Sequence, residues 1–141
     1  VHANAGEDTL KAVVKMAKKT NKKLKILAVT VLTSISNSSI KKIGHTRSIQ
    51  ELVKKQAILA KACGCHGIVC AVSDLRFVKK IFKGEIFTPG IRLKGDNVED
   101  QKRVSGPREA FKNGSTSIVM GRSIIRNNIK KNIQRLIEEL K

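Results

Sequence analysis

The chain has 141 residues and a mass of 15.5 kDa, enough for one domain with one core and too little for two ordinary ones. Apolar residues make up 40% and charged residues 28%, a globular balance that argues against disorder, and no apolar run nears the roughly 20 residues of a membrane span. Lys plus Arg is 29 against 11 for Asp plus Glu, a net charge of +18, which favours anionic partners such as nucleic acid, acidic membranes or phosphorylated small molecules.

Segments of two periods alternate along the chain. Residues 7–18 carry Leu10, Val13, Val14 and Ala17, the stripe of an amphipathic helix. Residues 24–32 (LKILAVTVL) form a compact apolar run, expected to be a buried strand. A polar stretch fills 33–47. Ser48 and Glu51 match a capping box, opening a helix with the stripe Ile49, Leu52, Val53, Ala57 and Ala60, which Gly64 is placed to end. Residues 67–71 (GIVCA) read as the next strand, and Ser73 as the cap of a short helix through Phe82. Residues 85–88 are a strand that Pro89-Gly90 ends. Residues 91–105 are a loop of about 15 residues, a length typical of functional lids. Pro107 suits a first helical position, and Asn113-Gly114 stops that helix. Residues 117–120 are a further strand. Gly121-Arg122 turns the chain into the final helices, where Ile129, Ile133, Leu136, Ile137 and Leu140 form the last apolar stripe.

With a strand stub at residues 1–3 there are about five strands, each followed by a helix. This α/β alternation argues for a parallel sheet with helices outside. A closed eight-strand barrel typically takes about 250 residues; on the residues alone, an open doubly wound sheet closes its core at this length. The chain opens on Val1-His2-Ala3 without a charged-then-apolar leader, so no signal peptide is expected, and the opening suits a chain processed or cut from something longer.

No G-x-G-x-x-G and no Walker sequence is present. Cys63-Gly64-Cys65-His66 is tighter than the usual C-x₂-C and has no second ligand pair nearby. Burial of thiols at a helix–strand junction is the better reading than a metal site. Three Cys, an odd count, suit a reducing cytosol. His45 and His66 fall in expected turns, as surface residues. Two places suit an anion. Arg92 stands just past a strand's C-terminal end in Thr88-Pro89-Gly90-Ile91-Arg92. In Met120-Gly121-Arg122-Ser123 a strand end meets a helix start, where free N–H groups and an Arg fork suit phosphate.

These runs, taken with Val1-His2-Ala3, residues 28–34 (AVTVLTS), residues 67–70 (GIVC), Asp100-Gln101-Lys102-Arg103 and Gly121-Arg122, resemble orotidine 5′-phosphate decarboxylase of the bacterial type. The resemblance covers nearly all of the chain but only the later part of the family's TIM (β/α)₈ barrel, about strands 4–8 with their helices. Residues 1–141 would then be one partial barrel domain without strands 1–3. The resemblance implies a cytoplasmic, homodimeric lyase that converts orotidine monophosphate to UMP and CO₂ without cofactor or metal. It places Thr33 in the pyrimidine and ribose region, Arg92 and Arg122 with the Gly121 backbone on the substrate phosphate, and Gln101 on a closing loop.

One departure is as informative. The family's catalytic array includes a D-x-K-x-x-D motif, and this sequence contains none. No catalytic residue is therefore expected in this chain, and alone it is expected to be inactive. A piece of a split gene, a decayed remnant and a partial record of an enzyme all fit. Two other functions are open to such a chain. A basic nucleic-acid-binding protein would use the +18 charge, but the chain has no Trp, no Tyr and only four Phe, few platforms for stacking. A non-catalytic half-barrel subunit would complete a barrel with a separate N-terminal half.

Overall fold

The structure, a computed structural model, describes residues 1–97 and 102–141. Four strands, β1 (Leu27–Val29), β2 (Gly67–Val69), β3 (Glu85–Thr88) and β4 (Ser117–Ile118), lie side by side in chain order, all parallel. Ahead of β1 the first residues add a further rung. The Val1 ammonium donates to the Leu27 carbonyl at 3.0 Å, the Val29 N–H donates to the Val1 carbonyl at 2.8 Å, and His2 bridges Val29 in parallel. A doubly wound sheet reverses its strand order at a switch point. This order runs one way without reversal, which sets aside the open doubly wound sheet and gives an arc of a barrel.

Helices α1 (Glu7–Thr20), α2 (Asn37–Lys42), α3 (Ile49–Ala62), α4 (Leu75–Ile81), α5 (Pro107–Asn113), α6 (Arg122–Ile125) and α7 (Ile129–Leu140) form before, between and after the strands. The α1 helix begins with Glu7 and Asp8 and ends with Lys18 and Lys19, charges that complement its dipole, and buries Leu10, Val14 and Ala17. The Ser48–Glu51 capping box of α3 is complete. At its other end Gly64 has φ +73°. Its N–H donates to Lys61 and that of Cys65 to Ala60, the paired bonds that satisfy the last carbonyls of a helix.

Several local expectations change. The strand expected over residues 24–32 pairs only at Leu27–Val29. The polar stretch after it contains α2, opened by Ser36, whose hydroxyl accepts from the Ser39 N–H; six residues with one buried Ile40 carry too little periodicity to announce a helix. Ser73 does not cap α4: it lies in a 3₁₀ turn (Val72–Asp74), and Asp74 takes the N-cap position without a side-chain bond. His66 is half-buried, and its Nδ1 accepts the Ile26 N–H at 3.0 Å.

Burial alternates along the strands. Ala28, Thr30, Ile68, Cys70, Ile86 and Thr88 are buried, and the apolar ones join Leu10, Val53, Ala57, Leu75 and Val78 in one core with the helices. Their neighbours Leu27, Val29, Val69 and Phe87 are only half-buried. A parallel strand inside a complete barrel is covered on both faces; here the face turned away from the helices is partly open.

The last helix shows the same thing. Its stripe is present, but Ile129, Ile133, Ile137 and Leu140 are 40–51% exposed, and Ile125 just before them is 64% exposed. Of α7, Asn132 is the buried residue. Contiguous apolar patches of this kind are association surfaces, so the purified chain is expected to self-associate at micromolar concentration. Ile133→Glu with Ile137→Glu should shift sedimentation velocity toward monomer with little change in stability, since exposed substitutions typically stay within about 0.5 kcal/mol. A monomeric parent chain would contradict this.

Candidate functional site

Parallel strands bring all their C-terminal ends to one rim, the side on which such barrels carry their sites. Thr33 follows β1, Asp74 follows β2, Arg92 follows β3 and Arg122 follows β4. The turn after β3 is tight. Gly90 has φ +75°, and a Cβ there would stand 2.8 Å from the Arg103 carbonyl oxygen and 3.2 Å from Thr33 Cγ2, so only glycine fits. The Arg92 N–H donates to the Ser105 carbonyl at 3.1 Å, and the Ser105 N–H donates to the Gly90 carbonyl at 3.2 Å. The two ends of the long loop are thus stitched together, which fixes the backbone from which Arg92 projects.

At β4 the chain turns through Gly121 into α6. Chain neighbours aside, no atom of the described residues lies within 4 Å of where a Gly121 Cβ would stand, so that backbone is open to a ligand. Asn127 takes the left-handed conformation at φ 58°, one that Asn tolerates better than most residues. Asn128 then caps α7 by accepting the Lys131 N–H, and Asn132 Nδ2 donates to the carbonyls of Ile124 and Arg126. These bonds aim α7 back at the loop. Arg135 Nη2 donates to Asp96 Oδ1 and to the Lys94 carbonyl, both at 2.9 Å, and the Lys94 N–H donates to Glu139 Oε1 at 2.7 Å.

The result is a cavity of about 200 Å³ whose walls include Arg92, Arg122, Arg126 and Arg135, with Asp96 as the one acidic residue among its described lining residues. Burial pushes the Asp96 carboxyl up, but the Arg135 hydrogen bond and charge, with the Arg92 charge, outweigh it and hold the group below its ordinary value. Among the described residues, four guanidinium groups around one carboxylate make a positive enclosure suited to a multiply charged oxyanion. Of the residues expected from sequence, Arg92 and Arg122 meet at this cavity and Gly121 adjoins it. Thr33 is buried past the end of β1 and is not among the residues lining the cavity. Gln101 lies outside the described residues. Arg126 and Arg135 carry no such sequence signal: each is one basic residue among several after Gly121, with nothing in the spacing to single it out.

A second cluster sits beside Thr33. Arg103 Nη1 donates to Asp74 Oδ2 at 2.6 Å, and its Nη2 donates to the carbonyls of Val31 at 2.8 Å and Leu32 at 3.3 Å. The N–H groups of Lys102 and Arg103 both donate to the Thr33 carbonyl, at 3.1 and 3.2 Å. Asp74 is 4% exposed. Burial raises its carboxyl above the ordinary value, and the Arg103 charge and hydrogen bond draw it back without cancelling the effect. The sequence held one signal of this pair, Arg103 as the last residue of the D-Q-x-R run.

Cys63, Cys65 and Cys70 are buried and unpaired by disulfides. Among the described residues no group of three or more His, Cys, Asp or Glu is arranged to hold a metal. Burial pushes the Cys70 thiol up to about 12, helped by the Asp74 charge and opposed by that of Arg103. Since the thiolate is the nucleophile, Cys70 should resist iodoacetamide at pH 8 in the folded chain and react fully in urea. Rapid native labelling of Cys70, read by peptide mass mapping, would contradict this burial.

The sequence matches the Orotidine 5'-phosphate decarboxylase / HUMPS family over residues 1–135. It is 36% identical to orotidine 5'-phosphate decarboxylase of Coxiella burnetii (strain RSA 493 / Nine Mile phase I), with 88% of this chain and 54% of that protein covered. It is 37% identical to the enzyme of the same name from Buchnera aphidicola subsp. Schizaphis graminum, with 100% and 61% covered. The fold superposes on the crystal structure of orotidine 5'-phosphate decarboxylase from Lactobacillus acidophilus with a TM-score of 0.77 at 28% identity, over 100% of this chain and 62% of that one. The enzyme from Methanocaldococcus jannaschii complexed with inhibitor BMP gives 0.71 at 25% identity, over 100% and 60%. The chain therefore spans between half and two thirds of these relatives' lengths, as an α/β arc of their TIM barrel. A one-way parallel sheet, a cationic cavity past its last two strands and a match running from the first residue to residue 135 lead to one conclusion: the chain belongs to the orotidine 5′-phosphate decarboxylase / HUMPS family.

Proposed function

We propose that this chain is the phosphate- and pyrimidine-binding part of an orotidine 5′-phosphate decarboxylase, which converts orotidine monophosphate to UMP and CO₂. The observation that carries the reading is the convergence of Arg92 and Arg122 on one cavity beyond β3 and β4. In this reading both guanidinium groups hold the phosphate dianion, the open backbone at Gly121 lets it approach, Gln101 reaches it from the loop, and Thr33 faces the ribose and pyrimidine. Binding energy from the remote phosphate is then used at the ring, where the carboxylate leaves as CO₂ and a proton replaces it.

The sequence has no D-x-K-x-x-D run, so the groups that crowd the carboxylate and supply the proton come, in this reading, from polypeptide beyond these residues. The open sheet face and the exposed α7 stripe are where further barrel strands would pack, whether continuous with this chain or supplied by a separate N-terminal half. A cytoplasmic homodimer working without cofactor or metal completes the proposal.

The test is a titration of the purified chain with UMP and with uridine. Each charge-assisted hydrogen bond is worth about 1.5–3 kcal/mol, or roughly 10- to 200-fold. Arg122→Ala and Arg92→Ala should weaken UMP binding by that order and leave uridine nearly unchanged. Gln101→Ala should weaken UMP less, since a neutral amide contributes less than a guanidinium. The chain alone should release no CO₂ from orotidine monophosphate above background. Equal loss of uridine and UMP affinity in the arginine variants would refute the phosphate assignment. Tight duplex DNA binding with a steep salt slope and no UMP binding would favour a nucleic-acid role instead.

A further inference from the structure

We propose that Arg103 is a positioning residue that holds the β1 and β3 ends of the rim in register, and so sets the separation of Thr33 from Arg92. The inference rests on the binding role proposed above for those two residues. Its observations are independent of the arginine cavity, since Arg103 does not line it.

Arg103 contacts three strand ends at once. Its guanidinium reaches the carbonyls of Val31 and Leu32, which lead from β1 to Thr33, and the Asp74 carboxylate beyond β2. Its N–H donates to the Thr33 carbonyl. Its own carbonyl oxygen lies so close to Gly90, beyond β3, that a Cβ there would be 2.8 Å away. Two residues later Ser105 exchanges backbone bonds with Gly90 and Arg92. One residue thus ties Thr33 on one side to the Gly90–Arg92 turn on the other.

The side chains of Arg103 and Asp74 are 15% and 6% exposed. A planar fork that serves a carboxylate and two carbonyls in fixed directions cannot be replaced by a lysine ammonium, which offers a single point charge. A surface ion pair would tolerate that exchange; a buried one that sets geometry would not. Arg103 touches no ligand in this reading. Its effect passes through the Thr33 backbone and the Arg92 turn, so it should act on nucleoside and nucleotide together, whereas a phosphate ligand acts on the nucleotide alone.

The experiment compares Arg103→Lys with the parent chain by amide hydrogen exchange and by titration with uridine and UMP. Loss of the fork should lower protection of the residue 102 and 103 amides while the Thr30 and Cys70 amides, bonded within the sheet, keep theirs. Affinity for uridine and for UMP should both fall by about tenfold or more. Unchanged affinities in a folded Arg103→Lys chain overturn the inference. So does a uniform loss of protection across the sheet, which marks a merely structural ion pair. If the parent chain binds neither ligand, the proposed function fails and exchange alone decides: a local loss at residues 102 and 103 supports positioning, and unchanged protection overturns it. Should Arg103→Lys not fold, Asp74→Asn, which keeps the shape and an acceptor, takes its place with the same expected pattern.

Discussion

Everything at the rim depends on the parallel pairing of β1 to β4 in chain order. Pairing of this kind sends every strand end the same way, so residues as far apart in sequence as Thr33, Asp74, Arg92 and Arg122 share one edge without any contact having been built for that purpose. The helices return the chain to the opposite edge each time, and their apolar stripes reward the return by burial against Ala28, Ile68 and Ile86. One core thus runs along the helix side of the sheet, while the site gathers at the strand ends. That division is why the sheet can be well packed on its helix side and still be open on the other.

The openness has a direct physical reading. Half-buried Leu27, Val29, Val69 and Phe87 belong to the face that a closed barrel fills with its own side chains. An arc cannot fill it. The α7 stripe is in the same position: its amphipathic pattern calls for a covered face, and the described residues do not cover it. The stabilisation that these apolar groups can contribute, about 25 cal/mol per Å² removed from water, is available only when something else completes the curve.

Much of this was legible in the sequence, for reasons that differ by element. The Ser48–Glu51 box, Gly64 and Pro107 work through backbone bonds among a few neighbouring residues, so pattern alone locates them. The 85–88 strand was placed to the residue because Pro89 and Gly90 end it abruptly. Arg92 and Arg122 stood out because each follows a strand end in a specific run. By contrast α2 is short and polar, and its existence depends on Ser36 capping and on Ile40 finding the core. Arg103 and Asp74 are 29 residues apart, and only the parallel topology makes them partners. Arg135 reads as a solvated charge until α7 is seen to lie against residues 94–96.

That last contact has a consequence for the order in which the chain acquires its shape. Three of the four strands and the first four helices lie before residue 89. The arginine cavity draws on the end of the chain: Lys94 is bonded to Glu139 and Asp96 to Arg135, closing spans of 45 and 39 residues. A chain made from its N-terminus folds its early part first, so the wall of this cavity cannot close until the final helix has been synthesised. The anion-binding enclosure therefore needs the twelve residues of α7.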